Sequence, residues 1–260
     1  MGGAPVEVVV LGSGTSHGVP MIGCDCPTCA STDPKDKRTR TSVLVRHGGR
    51  NLLIDTSPEL RLQCVANGIS RIDAILFTHH HADHVVGLDD IRRFNWLTKR
   101  AVPCYAMVRT QECLRRMFAY AFEPAPDSPH SRPALDLITI EEEPFEIEGV
   151  RVVPVPLLHG GMKVLGFRMG GFAYCTDCNA IATQSLALLE GLEVLILDAL
   201  RRRPHPAHFN LQEAVAMARR IGARQTYFTH IAHELKHEET NAELPSGMAL
   251  AHDGLRFTVG

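Results

Sequence analysis

The segment Ala74 to Leu88 reads AILFTHHHADHVVGL and sets four of the chain's fourteen histidines, with one aspartate, between His79 and His84. Imidazole nitrogens and a carboxylate at that density suit the binding of cations. The apolar run AILFT has the length and composition of a buried strand, so the polar residues begin where a strand gives way to a loop. Ligand residues commonly occupy such places. On extended backbone, side chains two apart point the same way, which lets His79, His81 and Asp83 converge. On a helix the same spacing would turn them apart.

Six residues cannot surround an ion alone, so further donors are expected at other strand ends. His159 follows VVPVPLL, Asp177 follows FAYCT and His230 follows QTYFT, each repeating the strand-then-donor pattern of His79 after AILFT. A mixed imidazole and carboxylate set suits zinc, manganese or iron. A second cluster is CDCPTC, with Cys24, Cys26 and Cys29. Three thiolates in one loop fall one short of the four ligands of a tetrahedral structural zinc. His233, in THIAH three residues after His230, is the candidate fourth. The other five cysteines stand apart, mostly in apolar surroundings, and read as small core residues. Asp55, ending NLLID, reads either as a structural carboxylate or as one that orients a ligating histidine.

The elements that must position these residues follow from periodicity and turn chemistry. Strands are expected at 6–12, 42–47, 51–56 and 74–78, with a hairpin over 145–157 around Gly149 and another flanking Gly170 and Gly171. Helices are expected over 58–67, 110–122, 181–192 and 210–222, the last closed by Gly222. Strands in runs, broken by single helices, favour an α/β arrangement of sheet layers covered by helices over a doubly wound parallel sheet. The Pro- and Ser-rich stretch 123–134 reads as an exposed loop, and its His130 as solvated. GSGTS matches no phosphate-loop pattern and reads as a tight turn under the histidine cluster.

The whole chain sets limits. Its 260 residues allow one large domain, 1–260, and its 45% hydrophobic and 22% charged content is ordinary for a soluble protein. A net charge of −2 argues against general nucleic-acid binding. No apolar run approaches the roughly 18 residues that span a bilayer. The N-terminus MGGAPVEVVVLGSG reads as a first strand and not as a signal peptide, so the expectation is a cytoplasmic protein with no membrane partner.

THHHADH followed by His159, Asp177 and His230 resembles the metallo-β-lactamase superfamily over most of the chain. The resemblance implies an αββα sandwich with a dinuclear centre at one edge. It implies that His79, His81 and His159 hold one divalent ion, that Asp83, His84 and His230 hold the other, and that Asp177 bridges them. His80 falls at a variable position of the motif and is not counted. Two such ions activate water and clamp the attacking and leaving oxygens of a displacement.

CDCPTC with THIAH, together with GSGTSHGVP and LLIDTSPELR, is similar to the phosphodiesterase subgroup acting on phosphoribosyl cyclic phosphate in the carbon–phosphorus lyase pathway. That similarity implies one structural zinc on Cys24, Cys26, Cys29 and His233. HFNLQEA, after a strand ending at Asp198, resembles the phosphodiesterase branch, where the histidine serves as general acid or stabilises the phosphate. His208 takes that role with Asp198 orienting it, and Asp83 and His208 are the candidate catalytic residues. His205 is a weaker candidate, and Arg201, Arg202 and Arg203 read first as a solvated charge run. The expected activity is hydrolysis of a small cyclic phosphodiester by hydroxide that the ions supply. The rivals are a thioesterase or lactonase, and an RNA-associated relative without turnover. A homodimer would be common for the family.

Overall fold

Residues 5–123 and 132–260 are described by the computed structural model, and His130 lies outside them. Strand β1 (Val6–Gly12) shows how the layers arise. Val8 and Val10 face one side and Val9 and Leu11 the other, and the two pairs are buried in two different clusters. Apart from Glu7 the strand is apolar on both faces, which needs cover on both, and this one has it.

The first sheet runs in the order β14 (Arg256–Val259), β1, β2 (Ser42–His47), β3 (Arg50–Ile54), β4 (Ala74–Leu76), β5 (Val102–Ala106) and β6 (Leu135–Thr139). The second runs β13 (Met248–Leu250), β12 (Gln225–Thr229), β11 (Val194–Asp198), β10 (Phe172–Cys175), β9 (Met162–Met169), β8 (Val150–His159) and β7 (Phe145–Ile147). Val8, Val45, Ile54 and Leu76 of the first sheet meet Val152, Phe167, Tyr174 and Ile196 of the second in the central core. The outer face of the first sheet packs on α1 (Leu60–Ala66), α3 (Ile91–Thr98) and α4 (Val108–Met117), through Leu60, Phe94 and Leu114. The outer face of the second packs on α7 (Leu211–Ile221), through Leu211, Ala214 and Ala218. The short helices α2 (Ala82–Val85), α5 (Ala119–Phe122), α6 (Thr183–Ala187) and α8 (His237–Glu243) complete the layers. This is the expected αββα sandwich.

Each sheet is mixed. Strands β3 to β6 are mutually parallel, as are β10 to β13. Parallel strands deliver their C-terminal ends, and the loops that follow, to one edge. His79 follows β4, Asp177 follows β10, Asp198 ends β11 and His230 follows β12. Helix α7 follows its sequence signals closely. The Asn210 N–H donates to Glu213 at 2.9 Å and the Glu213 N–H to Asn210 at 3.0 Å, a reciprocal cap, and Gly222 ends the helix at φ 73°.

Two expected helices differ. The span 110–122 is two helices, because Phe118 leaves helical geometry at φ −119°, ψ 41° while its ring stays with the core. Of 181–192 only Thr183–Ala187 is helical, since packing of Leu189 and Leu192 overrides the local periodicity.

The N-terminal loop is anchored by a fully buried ion pair, Arg38 with Asp36 at 3.0 Å. Arg38 also donates to the carbonyls of Lys35 at 3.2 Å, Ala232 at 3.2 Å and Leu235 at 2.7 Å. Removing one member strands a buried charge, so Arg38→Ala is expected to cost about 3–5 kcal/mol in urea unfolding. Arg38→Lys should not restore it, because an ammonium cannot reproduce the fork that reaches three carbonyls and a carboxylate.

His237 is buried beside the same pair, and its backbone N–H donates to Asp36 at 2.8 Å. Burial, aided by Lys35, Arg38 and His252 and opposed by Glu238, pulls its pKa from 6.5 to about 4. Between those values the unfolded chain takes up a proton that the folded chain refuses, so stability falls as pH drops through that window. The loss of unfolding midpoint between pH 7 and pH 5 is expected to be smaller in His237→Gln than in the parent protein.

Candidate metal centre

The centre begins at Asp55, directly after β3, fully buried and at φ 63°. It accepts the Thr78 N–H at 2.9 Å, the Thr78 hydroxyl at 2.8 Å and His84 Nδ1–H at 2.7 Å. The Thr78 hydroxyl proton is thereby committed, so His79 Nδ1–H donates to Thr78 Oγ1 at 2.9 Å. His159 Nδ1–H donates to the Ala207 carbonyl at 2.8 Å. Each Nδ1 partner fixes the tautomer and turns Nε2 toward the space between the strand ends. Nε2 of both His79 and His84 is buried there with no hydrogen-bond partner.

Asp177 sits at the middle. Its carboxylate oxygens lie 3.3 Å from His84 Nε2, 3.4 Å from His230 Nε2 and 3.7 Å from His79 Nε2. Asp83 lies 3.5 Å from both His84 Nε2 and His230 Nε2. Donor atoms of His79, His81, His159 and Asp177 fall within 4.8 Å of one another, as do those of Asp83, His84 and His230. Ligand bonds of about 2.0–2.2 Å set neighbouring donors roughly 3–3.6 Å apart, so the spacing fits two cations with Asp177 between them. His80 joins neither group.

The electrostatics agree with that fit. Burial, reinforced by His84, pushes His79 well below its usual pKa, and burial lowers His81 and His159. All three are therefore neutral, the form that offers a lone pair. At His84 burial opposes the charged form, but Asp177, Asp55 and Asp83 outweigh it and raise the pKa well above the usual value. At His230 burial is likewise outweighed, by Asp177, Asp83 and Asp198, which lift it to about 9. Two buried carboxylates require positive charge within a few ångströms, and divalent ions would supply it. Asp177 and His230 adopt φ of 52° and 59°, a region costly for residues with a Cβ. With Asp55, three donor-bearing residues are held in strained backbone at this edge.

His208 lies at the same edge. Its Nδ1–H donates to Asp198 at 2.9 Å, and Asp198 also accepts the Cys178 N–H at 3.0 Å. The His208 ring is 4.6 Å from the rings of His159 and His230. Its donor atom lies within 4.8 Å of those of Asp177 and His230. Asp198 is 3.9 Å from His230 Nδ1 as well. Sequence reasoning missed this double contact, along with Thr78 and the Ala207 carbonyl. Thr78 was open to detection beside the motif, whereas a carbonyl leaves no sequence signal.

A separate cluster holds Cys24, Cys26, Cys29 and His233. His233 Nδ1 is 3.2, 3.3 and 3.8 Å from the three sulfurs in that order. Zinc bonds of about 2.3 Å to sulfur and 2.0–2.1 Å to nitrogen imply tetrahedral edges of roughly 3.5 Å, which these distances bracket. Burial favours the neutral thiols. At Cys26 the Cys29 N–H, Cys24 and His233 overturn this and bring the pKa to about 6, while burial pushes Cys29 up to about 11. The Met21 N–H donates to Cys29 Sγ at 3.3 Å, and Ile231 links by backbone to Ser13 and Thr15. GSGTS accordingly packs its backbone against the loop after β12. On its other side Gly12 lets the segment lie close to Arg40, since a Cβ there would lie 2.0 Å from the Arg40 carbonyl oxygen.

Beside His208 lies a cleft of about 270 Å³, lined by Thr15, His17, Arg201, His205, His208 and Glu234 among others. Arg203 reaches it but is held by Glu234, Nη2 to Oε1 at 2.6 Å, and Arg202 pairs with Glu243 at 2.8 Å.

Two packed sheets with a histidine- and aspartate-lined edge define the metallo-β-lactamase fold, for which divalent metals are implied. A family model described as the β-lactamase superfamily domain matches residues 50–231, and the chain belongs to that family. The crystal structure of a new diphosphatase from the PhnP family is similar over 98% of this chain and 97% of that one, at 45% identity and a TM-score of 0.92. An octanoyltransferase of Porphyromonas gingivalis is 37% identical over 258 residues, 98% of this chain; the chain spans about half of that protein's length, 52%. Zinc-bound PqqB of Methylobacterium extorquens shares the fold at a TM-score of 0.78 and 23% identity, over 96% of this chain and 99% of that one. Among the described residues no helix is long and apolar enough to cross a membrane.

Proposed function

We propose that the protein is a metal-dependent phosphodiesterase acting on a small substrate, with a cyclic phosphodiester as the favoured class. The observation that carries this is His208, backed by Asp198 at 2.9 Å and stacked on His230 at the metal edge. A phosphoester hydrolase needs a proton for its leaving alkoxide, and an imidazole at that position supplies one. His79, His81 and His159 would hold one divalent ion and Asp83, His84 and His230 the other, with Asp177 shared. When bound, such a pair polarises the phosphoryl oxygens and lowers the pKa of water. The Asp55–Thr78–His79 relay and the Asp55–His84 bond keep those imidazoles in register. Asp198 holds the Nδ1 proton of His208, so Nε2 is the atom that gives its proton to the leaving oxygen. A diphosphate is the second reading, favoured by the 45% identical diphosphatase of the PhnP family.

The test is a substrate panel on metal-loaded protein: a ribose cyclic phosphate, a diphosphate diester, a bis-aryl phosphate, a thioester and a lactone. Turnover confined to the phosphorus substrates is expected. Turnover confined to the thioester or lactone would overturn the assignment.

A further inference from the structure

We propose that Tyr174 is a positioning residue for Asp177, the carboxylate shared between the two ion positions, and that it acts through a one-way chain of buried hydroxyls running from Thr229 to Asp177. This role rests on the two-ion reading of the centre and not on the choice of substrate.

Thr41, Tyr174, Thr176 and Thr229 are all fully buried. Tyr174 stands on β10 and shares the central core with Phe167 and Phe172, so packing alone would be served by a third phenylalanine. A buried hydroxyl is costly unless it is bonded. Tyr174 Oη lies 3.0 Å from Thr41 Oγ1, and Thr41 Oγ1 lies 3.1 Å from Thr229 Oγ1. Tyr174 is also bonded to the Thr176 hydroxyl. Thr176 in turn donates to Asp177 Oδ1 at 2.7 Å.

The protons set the direction, because each hydroxyl has only one to give. That of Thr176 is committed to Asp177, so Thr176 accepts from Tyr174. Tyr174 then accepts from Thr41, and Thr41 from Thr229. Burial, with Asp55 and Asp177 nearby, holds the Tyr174 hydroxyl well above its usual pKa, so it remains a donor. All four O–H dipoles therefore point along the chain toward the carboxylate, and each strengthens the next.

Asp177 Oδ1 faces His84 at 3.3 Å, whereas Oδ2 faces His79 at 3.7 Å and His230 at 3.4 Å. A bond that pins Oδ1 fixes the carboxylate plane and so aims Oδ2 at the other two histidines. Both ends of the chain also adjoin ligands. Thr176 precedes Asp177 and Thr229 precedes His230, the two residues that leave their strands in left-handed backbone. The hydroxyls thus tie the turn after β10 to the turn after β12.

Manganese(II) binding to protein emptied at the centre, followed by electron paramagnetic resonance, tests the role without turnover. The soft thiolates of the second cluster disfavour manganese. Tyr174→Phe keeps the ring and is expected to weaken manganese binding about 10-fold, and Thr176→Val, which removes the donor itself, up to about 100-fold, the range for groups that orient metal ligands. Thr176→Ser should bind as the parent does. Because Tyr174 acts through Thr176, the double variant should bind no more weakly than Thr176→Val alone. A purely structural tyrosine would lower the thermal midpoint in Tyr174→Phe and leave the affinity of the folded protein unchanged. Parental affinity in Tyr174→Phe, or effects that add in the double variant, overturns the proposal. A parent protein in which neither manganese nor zinc fills the centre would overturn the two-ion reading instead, and the positioning role with it.

Discussion

His208→Ala is expected to slow hydrolysis of an alkyl phosphodiester by about 10²–10⁴-fold, the usual contribution of a positioned general acid. A p-nitrophenyl diester should suffer far less, because a nitrophenolate departs without a proton. That contrast separates proton donation from general electrostatic support, which would affect both substrates alike. Asp198→Asn should act in the same direction more weakly, since the amide can still accept from Nδ1 but no longer stabilises the imidazolium. The donor atom of His208 also lies close to Asp177 and His230, so metal content must be measured on the same samples. An unchanged complement in His208→Ala supports the acid; loss of one ion with the side chain would make it a ligand instead.

The other large effect is expected at the thiol cluster. Structural zinc contributes about 10–16 kcal/mol in small peptides. A host with its own core realises a part of this, and at least about 5 kcal/mol is expected here, a fall in Tm of roughly 10–20 °C for Cys26→Ser. The same variant should lose one metal per chain. An unchanged Tm together with unchanged metal content would mean that the three sulfurs and His233 hold no ion.

The sequence conveyed the site better than its surroundings. His79, Asp177 and His230 each follow a strand, so they were legible from apolar runs that end abruptly; Asp83 and His84 instead stand on the short helix α2, not on the extended backbone expected at Asp83. The thiols were legible from spacing alone. Strands β5 and β13 were not, because VPCYA carries a proline and MAL is only three residues long; both are defined by neighbours already in place. Helix α3 likewise passed unnoticed. The split of 110–122 was hidden since Phe118 prefers its core contacts to continued helix. Asp55 appeared as an orienting carboxylate, but its grip on two histidines, one through Thr78, depends on a left-handed backbone that no pattern announces.

His230 and His233 are separated by two residues, and both of those are tied down: Ile231 to Ser13 and Thr15, and Ala232 to the Arg38 guanidinium. Such a short, braced tether makes the two clusters thermodynamic neighbours. Whatever order one imposes on its end of the segment lowers the cost of ordering the other, and linkage requires the favour to be returned equally. Loss of metal at the thiol cluster should therefore weaken metal binding at the other cluster by the same factor that emptying the other weakens the thiol cluster. A zinc titration of stripped Cys26→Ser protein is expected to need more free zinc for half-maximal hydrolytic activity than the parent protein. An unchanged midpoint would mean that the tether transmits nothing.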